Sequence, residues 1–511
     1  MPPSPTSTGD GNSIADKLRN LVQPPKIQVR ISLHRRKRIY TTLDKLDGHI
    51  SIVAPVDTTF DAIQIEFLGT VKTYIERVTS AAAVSGRSEA FHQFLKLEQP
   101  RLRQFYPQDS ILKAGQTYEL PFIFAIPRQL LLRTCVHKTQ TPLVRDAHLQ
   151  VPPSFGDRDF DGCSDEFDDL APEMASIRYG VFARILRFKT VNGETYPSNL
   201  ASKVRKVRVM PVVDDEPPLV VGGEESDYVM RRERTIRKSV LKGKLGMLVM
   251  EAVQPQSLRI EISANPDSRT TTVVTINLRF DPTDDTATPP KLGSLVSKLK
   301  VTTFFASTAR QTFPSKHASL LDLSQGMHTE QLTLSSRSMA NVDWTKRDPP
   351  PKSAVPHARH DSCDSDSPTA PSATYQGASY YTARLLVPMT LPLTKAFVPT
   401  FHSCLISRTY QLRLDLGVHT AGINPSMDLK IPVQISACPG EGDGFPLTRR
   451  GSIDSADAYS LDAEDAEDLF GPRTERPPSP GSSVSRSRIS SQAPVDEDTP
   501  PDYSPYSVPG S

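Results

Sequence analysis

Cysteine is scarce and scattered in this chain. Its 511 residues hold five, Cys135, Cys163, Cys363, Cys404 and Cys438. The odd count and the lack of any CxxC pair argue against a disulfide framework and a zinc site, and for a reducing compartment. Long apolar runs are also missing. The greasiest segment, residues 118–136, is broken by Glu119, Pro121, Pro127, Arg128 and Arg133, so nothing approaches the roughly 18 residues of a membrane span. The stretch "MPPSPTSTGDGNS" has neither the basic start nor the apolar core of a signal peptide. A soluble, cytoplasmic protein is expected. No GxSxG, HExxH, P-loop or GxGxxG signature occurs, and the eleven His are dispersed. Neither an enzyme nor a cofactor is expected.

Proline, by contrast, is abundant: 46 residues, nearly twice the roughly 5% of ordinary chains, so part of the chain is expected not to pack. Charge is unevenly placed. Residues 439–511 carry 14 Asp/Glu against 6 Arg and no Lys, which leaves that stretch at −8 and the remainder at +10. A basic body suggests contact with anionic surfaces, although the excess is modest over more than 400 residues. Nucleic acid is not an expected partner, because neither a recognition helix nor an aromatic stacking platform is evident.

The dominant pattern has period two. In "IQVRISLH", Ile27, Val29, Ile31 and Leu33 alternate with polar residues, which puts four aliphatic side chains on one face of a strand. The same alternation runs through Ile63, Ile65 and Phe67, through Tyr118, Leu120, Phe122, Phe124 and Ile126, and through Ile177, Tyr179, Val181, Ala183 and Ile185. After a Pro, Gly and acid cluster, "PVVDDEPPLVVGGEES", it resumes at Leu258, Ile260 and Ile262, then at Val274, Ile276, Leu278 and Phe280. It ends with Tyr410, Leu412, Leu414 and Leu416, then Leu429, Ile431, Val433 and Ile435. Pro432 should place that last strand at a sheet edge. One-sided strands must bury their apolar faces against each other, so two sets of about seven to nine strands predict an all-β protein of two tandem β-sandwich lobes. The expected organisation is a disordered segment at 1–22, a first lobe at 23–222, a second at 223–438 interrupted by a disordered insert at 325–373, and a disordered acidic tail at 439–511. Trp344, the single tryptophan, falls in the insert and is able to dock back on a lobe.

Several stretches then resemble a known family. "ILKAGQTYELPFIFAIP" (Ile111–Pro127) is similar to the glycine turn and aromatic strand of arrestin-fold N-lobes. "TFHSCLISRTYQLRLDLGV" (Thr400–Val418) with "LKIPVQI" resembles the end of the arrestin C-lobe. "HLQVPPSFGD" and "LAPEMASIRYGVFARI" are similar to the fungal α-arrestin adaptors. The resemblance covers about residues 25–438. It implies a two-lobed, non-enzymatic scaffold that recognises membrane cargo and recruits HECT-type ubiquitin ligases. No buried charged cluster of the kind visual arrestins use as a trigger can be picked out of the sequence.

The tail supplies a matching handle. Pro500, Pro501, Asp502 and Tyr503 spell PPxY. Adjacent prolines pre-form the extended left-handed helix that slides into the aromatic groove of a WW domain, and Tyr503 fills a second pocket. "RRGS", "RPPSP" and "SRSRIS" place Ser452, Ser479, Ser487 and Ser490 as candidate phosphoacceptors; phosphate there would suit a phosphoserine reader. "DRDFDGCSDEFD" follows the calcium-loop template at Asp157, Asp159 and Asp161, but offers Asp168 where a longer bidentate Glu belongs; a solvated acidic loop is the plainer reading. "HRRKR", "KVRKVRV" and "RRERTIRK" are basic, suited to anionic lipid or, more simply, to solvated strand ends. The expected function is an adaptor that binds cytosolic segments of membrane transporters or receptors and brings a WW-domain ubiquitin ligase, with recruitment to plasma membrane or endosomes. An arrestin-fold subunit of a sorting coat, acting without a ligase, stands as the alternative, and a calcium-dependent scaffold as a third.

Overall fold

The computed structural model describes residues 26–35, 37, 39–77, 86–107, 109–157, 168–191, 193–212, 227–238, 243–262, 269–348, 369–375, 377, 379–420, 424–438, 460–461 and 470. The expected segment at 1–22 and most of the connection at 211–226 lie outside these.

The described residues form a mostly β-strand structure. Its first half forms β1 (Gln28–Leu33), β2 (Lys45–Val53), β3 (Thr58–Thr59), β4 (Ala62–Arg77), β5 (Gly86–Glu98), β6 (Ile111–Leu112), β7 (Thr117–Ala125), β8 (Ala175–Val191) and β9 (Glu194–Val207). The second half forms β10 (Arg231–Arg237), β11 (Lys244–Ala252), β12 (Leu258–Glu261), β13 (Thr271–Pro282), β14 (Lys291–Ala306), β15 (Gln325–Ser338), β16 (Thr345–Arg347), β17 (Tyr380–Thr390), β18 (Phe401–His402), β19 (Ile406–His419), β20 (Ser426–Val433) and β21 (Ile435–Cys438). A last short strand, β22 (Ser460–Leu461), follows.

Two packed sheets make each lobe. In the first, the sheet β1-β2-β7 and the sheet β22-β9-β8-β4-β5 enclose one core. There Ile31, Ile50, Phe122 and Phe124 meet the inward set Ile63, Ile65, Phe67, Ile177, Tyr179 and Val181. In the second lobe, the sheet β10-β11-β13-β17-β16 packs on the sheet β15-β14-β19-β18, with β20 also paired to β19. Val274, Ile276, Leu278 and Phe280 of β13 meet Tyr410, Leu412, Leu414 and Leu416 of β19 in its core. Each such side chain contributes about 1.5–3 kcal/mol on burial, which is why the alternation dictates the layers. Pro432 sits opposite Gln411 on β20, whose other side carries a backbone bridge from Val229 to Lys430. A proline there leaves no ladder donor missing.

Two expectations need correction. The insert expected to be disordered at 325–373 begins as β15, which pairs with β14 from Gln325 to Ser338. It continues through Val342 and Trp344, which pack against the second core, into β16 on β17. At its far end Ser372 N–H donates to Asp281 (2.8 Å) and the Thr369 carbonyl accepts from Arg279 (3.0 Å). β15 is an edge strand, so polar residues cost it little, and its composition hides it. Residues 349–368 lie outside the described set. The tail at 439–511 is likewise not featureless: β22 pairs with β9, Ser460 opposite Arg205 and Leu461 opposite Val204. Phe470 is buried against Leu68, Phe182 and Val204, edge-on to Phe182 at 4.9 Å between centroids.

Candidate functional site at the lobe junction

The two cores interlock. Phe305, Val398, Phe401, Cys404, Leu405 and Ile406 come from the second half of the chain but pack in the first core, while Leu170 plugs the second. Hydrogen bonds cross the same boundary: Thr73 Oγ1 donates to the Ala306 carbonyl at 2.6 Å, and Gln140 N–H to the Gln311 carbonyl at 2.8 Å.

A charged network lies inside this junction. Gly156 has φ +67°, and a Cβ there would stand 2.4 Å from the Ala175 carbonyl oxygen, so glycine is required. Its N–H donates to Asp169 Oδ2 at 2.7 Å, and Ala171 N–H donates to Oδ1 at 3.1 Å. Burial raises the Asp169 pKa, against which Arg408 is the largest opposing influence. Arg408 is itself 1% exposed. Its guanidinium donates to Thr303 Oγ1 (2.7 Å), to the Leu170 carbonyl (3.3 Å) and to the Asp169 carbonyl. It stacks 4.8 Å from the Phe155 ring centroid. Leu170 has φ 58°, a left-handed conformation costing about 1–2 kcal/mol, and the Arg408 bonds to the carbonyls of residues 169 and 170 hold it there. Arg310, also buried, donates to Ser407 Oγ (3.0 Å) and to the carbonyls of Phe304 (2.8 Å) and Leu405 (2.6 Å). No local pattern announces this cluster, because its members are far apart in the chain and each is locally an ordinary strand or loop residue.

Beside it the sulfur and imidazole groups converge, against the expectation drawn from cysteine spacing. Cys135, His137, His148 and Cys404 bring one ligand atom each to within 4.8 Å of all the others. Burial pushes the Cys404 thiol up to about 12, with Cys135 adding to the rise, and pulls His148 down to about 4, helped by His137 and Arg310.

The residues singled out from sequence fall elsewhere. Pro500, Pro501, Tyr503, Ser452, Ser479, Ser487 and Ser490 lie outside the described residues, as do Asp159 and Asp161. Asp157 Oδ1 accepts from Lys206 (3.1 Å) and Arg178 (3.4 Å), and Asp168 pairs with Lys395. Both ends of the calcium-loop pattern are therefore engaged by cations. The stretch "KVRKVRV" is no solvated strand end: Arg205, Lys206 and Arg208 are buried, and Arg205 donates to the Ile31 carbonyl at 2.9 Å. In "RRERTIRK", Arg231 pairs with Glu233 and Glu251, Arg232 with Asp428, and Lys238 with Asp284. In "HRRKR", Lys37 pairs with Asp44 and His34 with Asp47. Among the described residues no helix is long and apolar enough to cross a membrane.

The two-lobed, mostly β-strand architecture is consistent with arrestin-like lobes. Residues 310–438, a quarter of the chain, match the family described as Bul1 C terminus. The match supports an arrestin-like trafficking adaptor family. No curated protein matches the chain.

Proposed function

We propose that this protein is a non-enzymatic trafficking adaptor. Its lobes bind the cytosolic segment of a membrane transporter or receptor, and Pro500, Pro501 and Tyr503 bring a WW-domain HECT ubiquitin ligase, so that cargo is ubiquitinated, internalised and sorted. It works in the cytoplasm and is recruited to plasma membrane or endosomes. The observation that carries the reading is the PPxY stretch in a chain whose residues 310–438 match the family described as Bul1 C terminus. One such motif binds at roughly micromolar strength, about −8 kcal/mol, so avidity from a ligase with several WW domains has to contribute.

Pull-down from cells with wild-type and Tyr503→Ala protein tests it. The variant should lose the ligase and keep its cargo; equal ligase recovery would refute the reading. Because no Lys follows residue 438, ubiquitin acceptors on the adaptor itself should all map before residue 439.

A further inference from the structure

The four groups that meet beside Arg310 have the donor set and spacing of a tetrahedral metal site. Cys135 Sγ stands 3.3 Å from His137 Nε2 and 3.8 Å from His148 Nδ1, and His137 Nε2 stands 3.3 Å from Cys404 Sγ. Zinc bonds of about 2.3 Å to sulfur and 2.0–2.1 Å to nitrogen, arranged tetrahedrally, separate neighbouring ligand atoms by about 3.3–3.8 Å. Those three distances already agree, and since no pair is more than 4.8 Å apart, side-chain rotation is enough to close the rest. From this geometry we infer that Cys135, His137, His148 and Cys404 bind one zinc ion and that the ion staples the two lobes together.

Several features support a built site. The loop that carries three ligands is closed at its base, where Leu130 N–H donates to the Leu149 carbonyl at 2.8 Å and Gln129 bridges Gln150. Helix Pro142–His148 ends on its third ligand. The fourth, Cys404, lies in the turn between β18 and β19, fixed by Ser403 Oγ, which accepts from Ile406 N–H at 3.1 Å. His137 Nδ1 lies 3.2 Å from the Lys138 carbonyl, a contact that puts the ring proton on Nδ1 and turns the Nε2 lone pair toward the cluster, as outer partners of metal-bound histidines do. Three of the four are at most 6% exposed, and all four positions of the tetrahedron are filled by protein. Such a closed site is structural, whereas catalytic zinc keeps a position open. Soft sulfur with imidazole selects zinc over magnesium or calcium. On binding, both thiols give their protons to solvent, and two thiolates neutralise Zn2+, so the buried site carries no net charge.

The test uses the full chain, purified without a polyhistidine tag. Wild type and the Cys438→Ser control should hold about one zinc per chain by mass spectrometry of the metal, and the Cys135→Ser/Cys404→Ser double variant essentially none. Replacement by Co2+ should give the visible bands of tetrahedral, thiolate-ligated cobalt in wild type and the control, and not in the double variant. Should the double variant not fold, His137→Asn, at a half-exposed position, serves instead: its zinc affinity should drop by at least the about 10–100-fold that loss of even an outer partner costs. Chelation should lower the melting temperature of wild type. Zinc content no higher in wild type than in the double variant, an octahedral cobalt spectrum, or a Cys135–Cys404 disulfide in the fresh protein would overturn the assignment.

Discussion

Arg408→Ala is the most informative single change at the junction. It removes donors to Thr303 Oγ1, the Leu170 carbonyl and the Asp169 carbonyl, and takes from the buried Asp169 carboxyl the cation that most opposes the rise in its pKa. Hydrogen bonds from a charged group are worth about 1.5–3 kcal/mol each, so their loss costs about 4–5 kcal/mol in all once water replaces part of them. Release of Leu170 from its left-handed backbone returns about 1–2 kcal/mol, so the net loss should be about 3 kcal/mol. With a urea slope of about 3 kcal/mol/M for a chain of this size, the midpoint should fall by about 1 M. Trp344 is the only tryptophan and packs against the second core, so its fluorescence follows that lobe while circular dichroism follows both. The pH dependence adds a second reading. A carboxyl whose folded pKa is raised contributes stability below its unfolded value of 3.8 and loses it as pH rises through the folded value. Without Arg408 the Asp169 pKa rises further, so the deficit of the variant should be largest near neutrality and shrink on acidification toward pH 4. A midpoint unchanged at pH 7, or a deficit that grows with acid, would refute the account.

Two further outcomes follow from close packing. Phe470→Ala should loosen β22 on β9: burial of that ring is worth about 1.5–3 kcal/mol, so amide exchange at residues 204 and 205 of β9 should accelerate, and unchanged exchange would count against the contact. Gly48→Ala would place a Cβ 2.0 Å from the Ser32 carbonyl oxygen and 2.8 Å from the Phe122 ring; a loss of about 1–3 kcal/mol or more is expected by urea unfolding, and wild-type stability would contradict the β1–β2 register.

How much of this was legible in the sequence depends on where each side chain finds its partner. Leu120, Phe122 and Phe124 on β7, or Leu412, Leu414 and Leu416 on β19, show their role locally, because period two and burial coincide along one strand. β15 does not, since an edge strand tolerates threonine, serine and glutamine. Cys404 is 267 residues from His137, and a spacing rule built for CxxC pairs passes over a Cys-x-His step completed by another lobe. "KVRKVRV" misleads for a related reason: Arg205 answers the Ile31 carbonyl and Lys206 answers Asp157, partners supplied by the fold and absent from the local pattern.

Those buried cations change what the net charge means. A body at +10 suggests attraction to anionic lipid, at about 1 kcal/mol per basic residue near the surface. Yet Arg205, Lys206, Arg208, Arg279, Arg310 and Arg408 are buried, against only Glu66, Asp169 and Asp281 among the buried acids of the described residues. Part of the excess therefore lies inside the protein, satisfying carbonyls and carboxylates, and on β10 Arg231 is paired with Glu233 and Glu251, and Arg232 with Asp428. Of the body's +10, a net three charges are therefore buried among the described residues and hold the fold, so a lipid contact estimated from composition alone overstates the charge that a membrane could meet.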